Sequence, residues 1–325
     1  MASLQAYLMP IGAWQAPAWA ADGLLRRPNL HYNLGVPISS NPLKKLCLVF
    51  VLLPLIAQNL SAQEPPPASG ARILIIPRKI VSGEHATLAV LDVSGRLTPG
   101  VTVEFSNGDT LKTDATGRAM FVAPLNAERI YAAIQGRAGR VASTIVTAVE
   151  STSATQDVAL APRVASLSDR FEIMGHGFCG DADSNQVMIH GLPGLVLASS
   201  PAYLAVLPPA DLQPGPAQVR VTCGQKSSPA FTVVFVTLEL EAGNAALAPG
   251  EHCKLTVRVK GTTTKVNLEA RNLAPEVAEL QGGTPVRAVS GGGAENVASF
   301  ELVGKQHGNF VISIRLVAPL SAPRN

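Results

Sequence analysis

The run Arg170-Phe171-Glu172-Ile173-Met174-Gly175-His176-Gly177-Phe178 decides how the rest of the chain is read. Phe171 and Ile173 alternate with more polar neighbours, the period of a half-buried strand. Gly175-His176-Gly177-Phe178 ends that strand. Glycine supplies the backbone freedom that a sharp exit needs, and Phe178 is then placed to fold back as a core plug. Upstream lies Pro162-Arg163-Val164-Ala165-Ser166-Leu167. Downstream come Gln186 to Gly191, Gly194 to Ala198 and Ala202 to Leu207, short apolar runs separated by Gly and Pro that read as strands. Pro208-Pro209 breaks the sheet, and Leu212-Gln213-Pro214-Gly215 turns the chain into the alternating run Ala217 to Cys223. Gly224 to Ser228 turns it again into Ala230 to Phe235, which closes a unit over residues 160–235.

This order of motifs resembles the IPT/TIG family, the immunoglobulin-like domains shared by plexins, some transcription factors and many bacterial surface proteins. The resemblance rests on the Gly175-x-Gly177-Phe178 corner, the Pro214-Gly215 turn with its Val219-x-Val221 strand, and Ser228-x-x-Phe231. It implies an immunoglobulin-like sandwich and no particular reaction. Residues 71–149 form a second expected domain, with strands at Ile73 to Ile76, Ala86 to Leu91, Val101 to Phe105 and Met120 to Val122, and a hairpin signal at Asn107-Gly108-Asp109. Its pattern Leu91-Asp92-x-x-Gly95-x-x-x-Pro99-Gly100-Val101-x-Val103-x-Phe105, followed by Thr113-Asp114-x-x-Gly117-x-Ala119, is similar to the bacterial Ig-like repeats of intimin and invasin and to carboxypeptidase regulatory-like modules. A third unit, residues 236–318, alternates cleanly at Leu255 to Val259, Val266 to Ala270, Ala298 to Leu302 and Phe310 to Arg315, and reads as an Ig-like or fibronectin-like sandwich. Residues 150–159 are a polar linker and 319–325 a tail. The expected fold is therefore all-β, tandem immunoglobulin-like antiparallel β-sandwiches strung like beads and able to fold separately.

Before these units, residues 41–62 have the layout of a signal peptide: Lys44-Lys45, the apolar run Leu46 to Ala57, and Leu60-Ser61-Ala62 as a small-residue cleavage site. The apolar run is too short to span a membrane as a helix. Residues 1–40, which hold both tryptophans, Trp14 and Trp19, read as a gene-model extension or a long n-region, and residues 63–70, with Pro65-Pro66-Pro67, as a stiff linker. The chain has 26 basic and 23 acidic side chains; cleavage at Ala62 removes Arg26, Arg27, Lys44, Lys45 and Asp22, leaving 22 of each. The mature chain is neutral, with no basic run for nucleic acid and no transmembrane span. The expected location is secreted, periplasmic or cell-surface.

Chemistry is sparse. Asp181-Ala182-Asp183-Ser184-Asn185 opens like an EF-hand loop, but Gln186 stands at the sixth position and Leu192 at the twelfth, so the short polar side chains are expected to bond their own backbone. His176 and His190 have no Cys or carboxylate at ligand spacing. No nucleophile elbow, zinc helix, Walker loop or dinucleotide fingerprint occurs, and no catalytic, cofactor-binding or metal-binding residue is nominated. Cys47 leaves with the signal, so Cys179, Cys223 and Cys253 allow three pairings or three buried thiols. In the resembled fold Cys179 and Cys223 lie toward one end of the sandwich, and a disulfide between them is the expectation. The function expected is a non-catalytic binding or spacer module that engages an envelope or extracellular protein or polysaccharide, without a cofactor. The alternative is an enzyme accessory or hydrolase-associated carbohydrate-binding protein. After cleavage only Tyr131 and Tyr203 remain among the larger amphipathic rings, which counts against that alternative.

Overall fold

A computed structural model describes residues 4–8, 72–92, 94–126, 129–137, 141–148, 157–243 and 247–323. The signal segment 41–62, the linker 63–70, most of 1–40 and residues 150–156 lie outside the described residues. Every regular element described is a strand.

The first strand, β1 (Leu4–Leu8), joins a sheet of the third sandwich. The first sandwich comprises β2 (Ile73–Ile75), β3 (Lys79–Val81), β4 (His85–Leu91), β5 (Thr102–Phe105), β6 (Thr110–Lys112), β7 (Arg118–Val122), β8 (Arg129–Ile134) and β9 (Val141–Thr147). One sheet is β2-β4-β7 and the other β3-β9-β8-β5-β6, with β3 parallel to β9. Their inner faces close over Ile80, Leu88, Val103, Phe105, Phe121 and Ile130. Phe105 and Phe121 meet as a tilted ring pair with centroids 5.1 Å apart. The turn before β7 is built by Asp114, whose Oδ1 accepts from Thr116 N and Oγ1, both at 2.7 Å, and from Arg118 N. The Thr116 hydroxyl is the main cause holding the Asp114 carboxyl below its ordinary value. Gly117 closes that turn with φ 77°, and a Cβ there would collide with the Leu97-Thr98 backbone.

The second sandwich comprises β10 (Asp157–Pro162), β11 (Val164–Ser166), β12 (Phe171–His176), β13 (Asn185–Ile189), β14 (Leu192–Ser200), β15 (Tyr203–Leu207), β16 (Gly215–Cys223), β17 (Lys226–Ser227) and β18 (Phe231–Ala242). Strand β14 belongs to both sheets: its start, Leu192 to Gly194, pairs with β13, and from Leu195 to Ser200 it pairs with β15, with a register shift between Val196 and Ala198. Phe171, Ile173, Ile189, Val219, Phe231 and Phe235 fill the core. Phe178 is buried in it too, just past Gly177 at φ 78°, so the corner delivers its plug. Gly175 is required for a different reason: a Cβ there would run into the Asp157 carbonyl on the neighbouring strand. Cys179 and Cys223 are disulfide-bonded, with Cα atoms 5.7 Å apart.

The third sandwich uses the far half of β18 with β19 (His252–Lys260), β20 (Asn267–Asn272), β21 (Ala278–Leu280), β22 (Val286–Val289), β23 (Val297–Gly304) and β24 (Phe310–Leu316). Sheets β18-β19-β23-β21 and β1-β24-β20-β22 enclose Leu255, Val257, Leu268, Phe300, Leu302 and Ile312. The alternation of burial along β19 and β23 is what a sheet with one wet face requires. A last short strand, β25 (Leu320–Ser321), returns to pair with Pro162 and Ala161 of β10.

The sandwiches are not beads on a string. Strand β18 runs unbroken through two of them: Phe231 to Phe235 pair with β16, and Thr237 to Ala242 pair with β19. The first and second are joined side by side, where β4 meets β14 at Thr87 and Ser199. A separate apolar cluster of Ile75, Ala89, Leu91, Leu197, Ala198, Tyr203 and Ala205 seals that junction. Polar contacts flank it. Arg118, 6% exposed, reaches across to Asp183 and to the Val196 carbonyl, each at 2.7 Å, and Thr87 Oγ1 donates to the Gly180 carbonyl at 2.8 Å. The sandwiches thus share a packed junction where the sequence reading expects separable modules: parting the first two would expose a face as dry as either core.

Candidate functional site

The three sandwiches meet around a cavity of about 350 Å³. Arg78, between β2 and β3, comes from the first; the turn Asp169-Arg170 and Glu172 on β12 come from the second; Arg315, Leu316 and the returning segment to Leu320 come from the third. No stretch of sequence shorter than most of the folded chain contains these pieces. Clefts between domains are where ligand sites commonly form, because a junction supplies concavity that a sandwich face lacks.

Charge is distributed unevenly around this cavity. Arg78 Nε pairs with Glu172 Oε1 at 2.9 Å, and Glu172 keeps only 15% of its side-chain exposure. Tyr203 lies close behind: burial pushes its hydroxyl pKa well up, and the Glu172 carboxylate pushes it further the same way. Asp169 turns its carboxylate onto the Arg170 backbone N–H at 2.8 Å. The guanidinium of Arg170, half-buried, has its Nη1 sealed from solvent without a hydrogen-bond acceptor among the described residues.

Arg315 belongs to a second constellation. Glu269 on β20 stands in register with Arg315 on β24 and with Arg287 on β22, and Arg271 follows two residues along the same face. Oε1 of Glu269 accepts from Arg315 Nη2 at 2.6 Å and Arg271 Nε at 2.9 Å, and Oε2 accepts from Arg287 Nε at 3.3 Å. Opposite charges facing each other across strands stabilise a sheet, and here three guanidiniums cover one carboxylate until it is 1% exposed. Burial alone would raise the Glu269 pKa; the hydrogen bonds from Arg315, Arg271 and Arg287 outweigh it and hold the group below its ordinary 4.5. Three positive charges against one negative leave a positive excess on the flank of the cavity.

A pH dependence follows. A carboxylate whose pKa is depressed on folding contributes stability that is fully present above its unfolded value and is lost as pH falls through the folded one. Urea midpoints should therefore decline as pH drops below about 4.5. Glu269→Gln should remove part of that slope and cost about 1–3 kcal/mol at pH 7, because the arginines retain solvent as an alternative partner. An unchanged acid slope in the variant would refute the assignment.

The other candidate residues have structural employment. In the EF-hand-like loop, Asp181 accepts from Asp183 N and the Ser184 hydroxyl, while Asp183 is the acceptor for Arg118. Asn185 anchors the loop, donating to the Cys179 and Asp181 carbonyls and accepting from Cys179 N at 2.9 Å. His190, with φ 49°, and Gly191, with φ 81°, form the two-residue β13–β14 hairpin, whose turn needs positive φ at both positions. Tyr203 is buried at the junction of the first two sandwiches, which leaves Tyr131, 47% exposed on β8, as the accessible ring of the two. Among the described residues no three His, Cys, Asp or Glu side chains converge, and no helix is long and apolar enough to cross a membrane.

Comparison with known proteins gives no family model that matches and no curated protein similar in sequence. Solved structures with similar strand architecture include the Bacteroides ovatus SGBP-B of the mixed-linkage glucan utilization locus in complex with a mixed-linkage heptasaccharide, at 12% identity over 74% of this chain and 73% of that chain, TM-score 0.27. The plexin A4 full extracellular region matches at 14% identity over 77% of this chain and 23% of that one, TM-score 0.26. The chicken CNTN1 FN1-FN3 domains match at 10% identity over 78% and 98%, TM-score 0.19. This chain thus spans less than a quarter of the plexin chain. The fold is an all-β, immunoglobulin-like set of antiparallel sandwiches.

Proposed function

We propose that this chain is an exported, non-catalytic binding or spacer protein of the cell envelope or extracellular space, built of three immunoglobulin-like domains over residues 71–149, 160–235 and 236–318. On this reading the first domain is of the bacterial Ig-like type and the second of the IPT/TIG type, and both lie beyond the signal segment. The observation that carries it is the junction: a shared strand and a sealed apolar cluster fix three sandwiches around one charged cavity, as recognition by a preorganised surface requires. The Cys179–Cys223 disulfide supports export, since such bonds persist in oxidising compartments.

A pull-down of the mature protein from envelope extract should recover a partner in near-stoichiometric amount. Binding confined to a glycan array would transfer the reading to a carbohydrate-binding accessory protein. N-terminal sequencing of the exported protein should start at Gln63; a mature chain that retains Trp14 would overturn both the signal and its cleavage site.

A further inference from the structure

We infer that the outer edge of β24 (Phe310–Leu316) is a strand-accepting site in the mature protein, which takes up an extended segment of a partner polypeptide with apolar residues at alternate positions. The inference deepens the binding-module reading and rests on its signal cleavage. In the full chain this edge is occupied. β1 lies antiparallel to β24, with Leu4 in register with Ile314, Ala6 with Ile312 and Leu8 with Phe310. Residues 4–8 precede the expected cleavage at Ala62, so the exported chain lacks them.

Loss of that strand uncovers main-chain donors and acceptors. Leu273 N donates to the Val311 carbonyl at 3.0 Å and Val317 N to the Asn267 carbonyl at 2.8 Å, which fixes the alternation of the β20–β24 ladder. Val311, Ser313 and Arg315 therefore turn their N–H and C=O groups to β20, and Phe310, Ile312 and Ile314 turn theirs to the opposite edge. Natural sheets guard such an edge by shortness, proline or charge. The outermost strands β2, β3, β6, β7, β21 and β22 have three to five residues. β24 has seven, without proline, and its one charge, Arg315, is held by Glu269. The side chains of Phe310, Ile312 and Ile314 are buried in the third core. A strand that takes this edge must set apolar residues opposite them, as the sequence Leu4-x-Ala6-x-Leu8 does in the observed register. The main chain supplies the attraction, and the alternate side chains the selection.

The test uses the mature protein purified after export and two synthetic peptides with blocked ends. One is Ser3-Leu4-Gln5-Ala6-Tyr7-Leu8-Met9, and the other carries Ala6→Pro, which removes an N–H that the ladder needs. Amide hydrogen exchange read by NMR should find Ile312 and Ile314 fast and Ser313 and Arg315 slow in the free protein. The parent peptide at saturation should slow Ile312 and Ile314 by at least about tenfold and leave Ser313 and Arg315 as they were. The proline peptide should bind at least about tenfold more weakly. No saturable binding, equal binding of the two peptides, or slowed exchange without that alternation would overturn the inference. So would Ile312 and Ile314 amides already slow in the free mature protein, because a strand of this chain or of a second copy would then hold the edge. N-terminal sequencing of the same sample separates the two failures. A chain that retains Leu4 overturns the export reading and the open edge with it, whereas a chain that starts at Gln63 and ignores the peptide loses the strand site alone.

Discussion

Truncating Leu197 to alanine will lower stability by about 3 kcal/mol and will uncouple the melting of the first sandwich from that of the second. Leu197 is fully buried, yet it is not in the core of its own sandwich. It belongs to the cluster that includes Ile75 and Leu91 on one side and Tyr203 and Ala205 on the other. The cavity left by a truncated leucine costs transfer energy plus lost packing, and here both terms fall on the link between sandwiches. Differential scanning calorimetry should show two resolved transitions where the parent shows one. Leu255→Ala, in the core of the third sandwich, is the control, since it should destabilise by a similar amount without splitting the first two sandwiches. A parent-like single transition in the Leu197 variant would mean that this cluster is not what couples them. Gly180 offers an independent check, because a Cβ there would strike the His85 carbonyl across the same junction. Gly180→Val should therefore produce the same splitting.

Replacing Cys179 and Cys223 together with alanine will cost about 4 kcal/mol in the chain-entropy description of a loop of this length, or roughly 10 °C in melting temperature. The bond ties the loop after β12 to the end of β16, opposite Asn185 in the β13–β16 register. Asn185 in turn grips Cys179 from both its N–H and its carbonyl. Residues just beyond, Gly180 to Asp183, are those that dock on the first sandwich, so loosening this loop should also weaken the junction. Thermal unfolding of the double variant decides the matter, and a fall of less than about 2 °C would show that the packing alone holds this end.

Much of the strand content was legible because half-buried strands announce themselves by alternation. Val187 and Ile189 on β13, Val219 and Val221 on β16, and Leu255, Val257 and Val259 on β19 all face their cores with polar residues between them. What was not legible is what depends on two faces at once. Strand β4 is buried at every position from Ala86 to Leu91, and Tyr203 to Val206 on β15 are buried likewise. Unbroken apolarity in a sandwich strand is the signal of a second packing partner, and reading those runs only as strands missed the junction that they form. Strand β18 carries its boundary as a change of phase: Phe231, Val233 and Phe235 face the second core, and Val236, Leu238 and Leu240 the third, so the sequence shows where one core ends but not that one unbroken strand serves both. β3, β8 and β9 were passed over, though Ile130, Ala132 and Ile134 alternate with exposed or half-buried neighbours as clearly as any strand in the chain. The cavity was beyond reach of pattern reading altogether. Arg78, Arg170 and Arg315 are far apart in sequence and sit together only because Leu320 returns to β10 and because the first sandwich docks on the second. The one local hint was Glu269 and Arg271, two residues apart on one strand and therefore on one face.

The proposed export and the Cys179–Cys223 cross-link can be tested together. Non-reducing peptide mapping of the exported protein by mass spectrometry tests this most directly. The predicted result is a mature N-terminus at Gln63, a peptide pair joined through Cys179 and Cys223, and a Cys253 thiol, 4% exposed in the third core, that alkylates only after denaturation. A linkage of Cys253 to either of the other two, or three thiols that alkylate in the native exported protein, would contradict it.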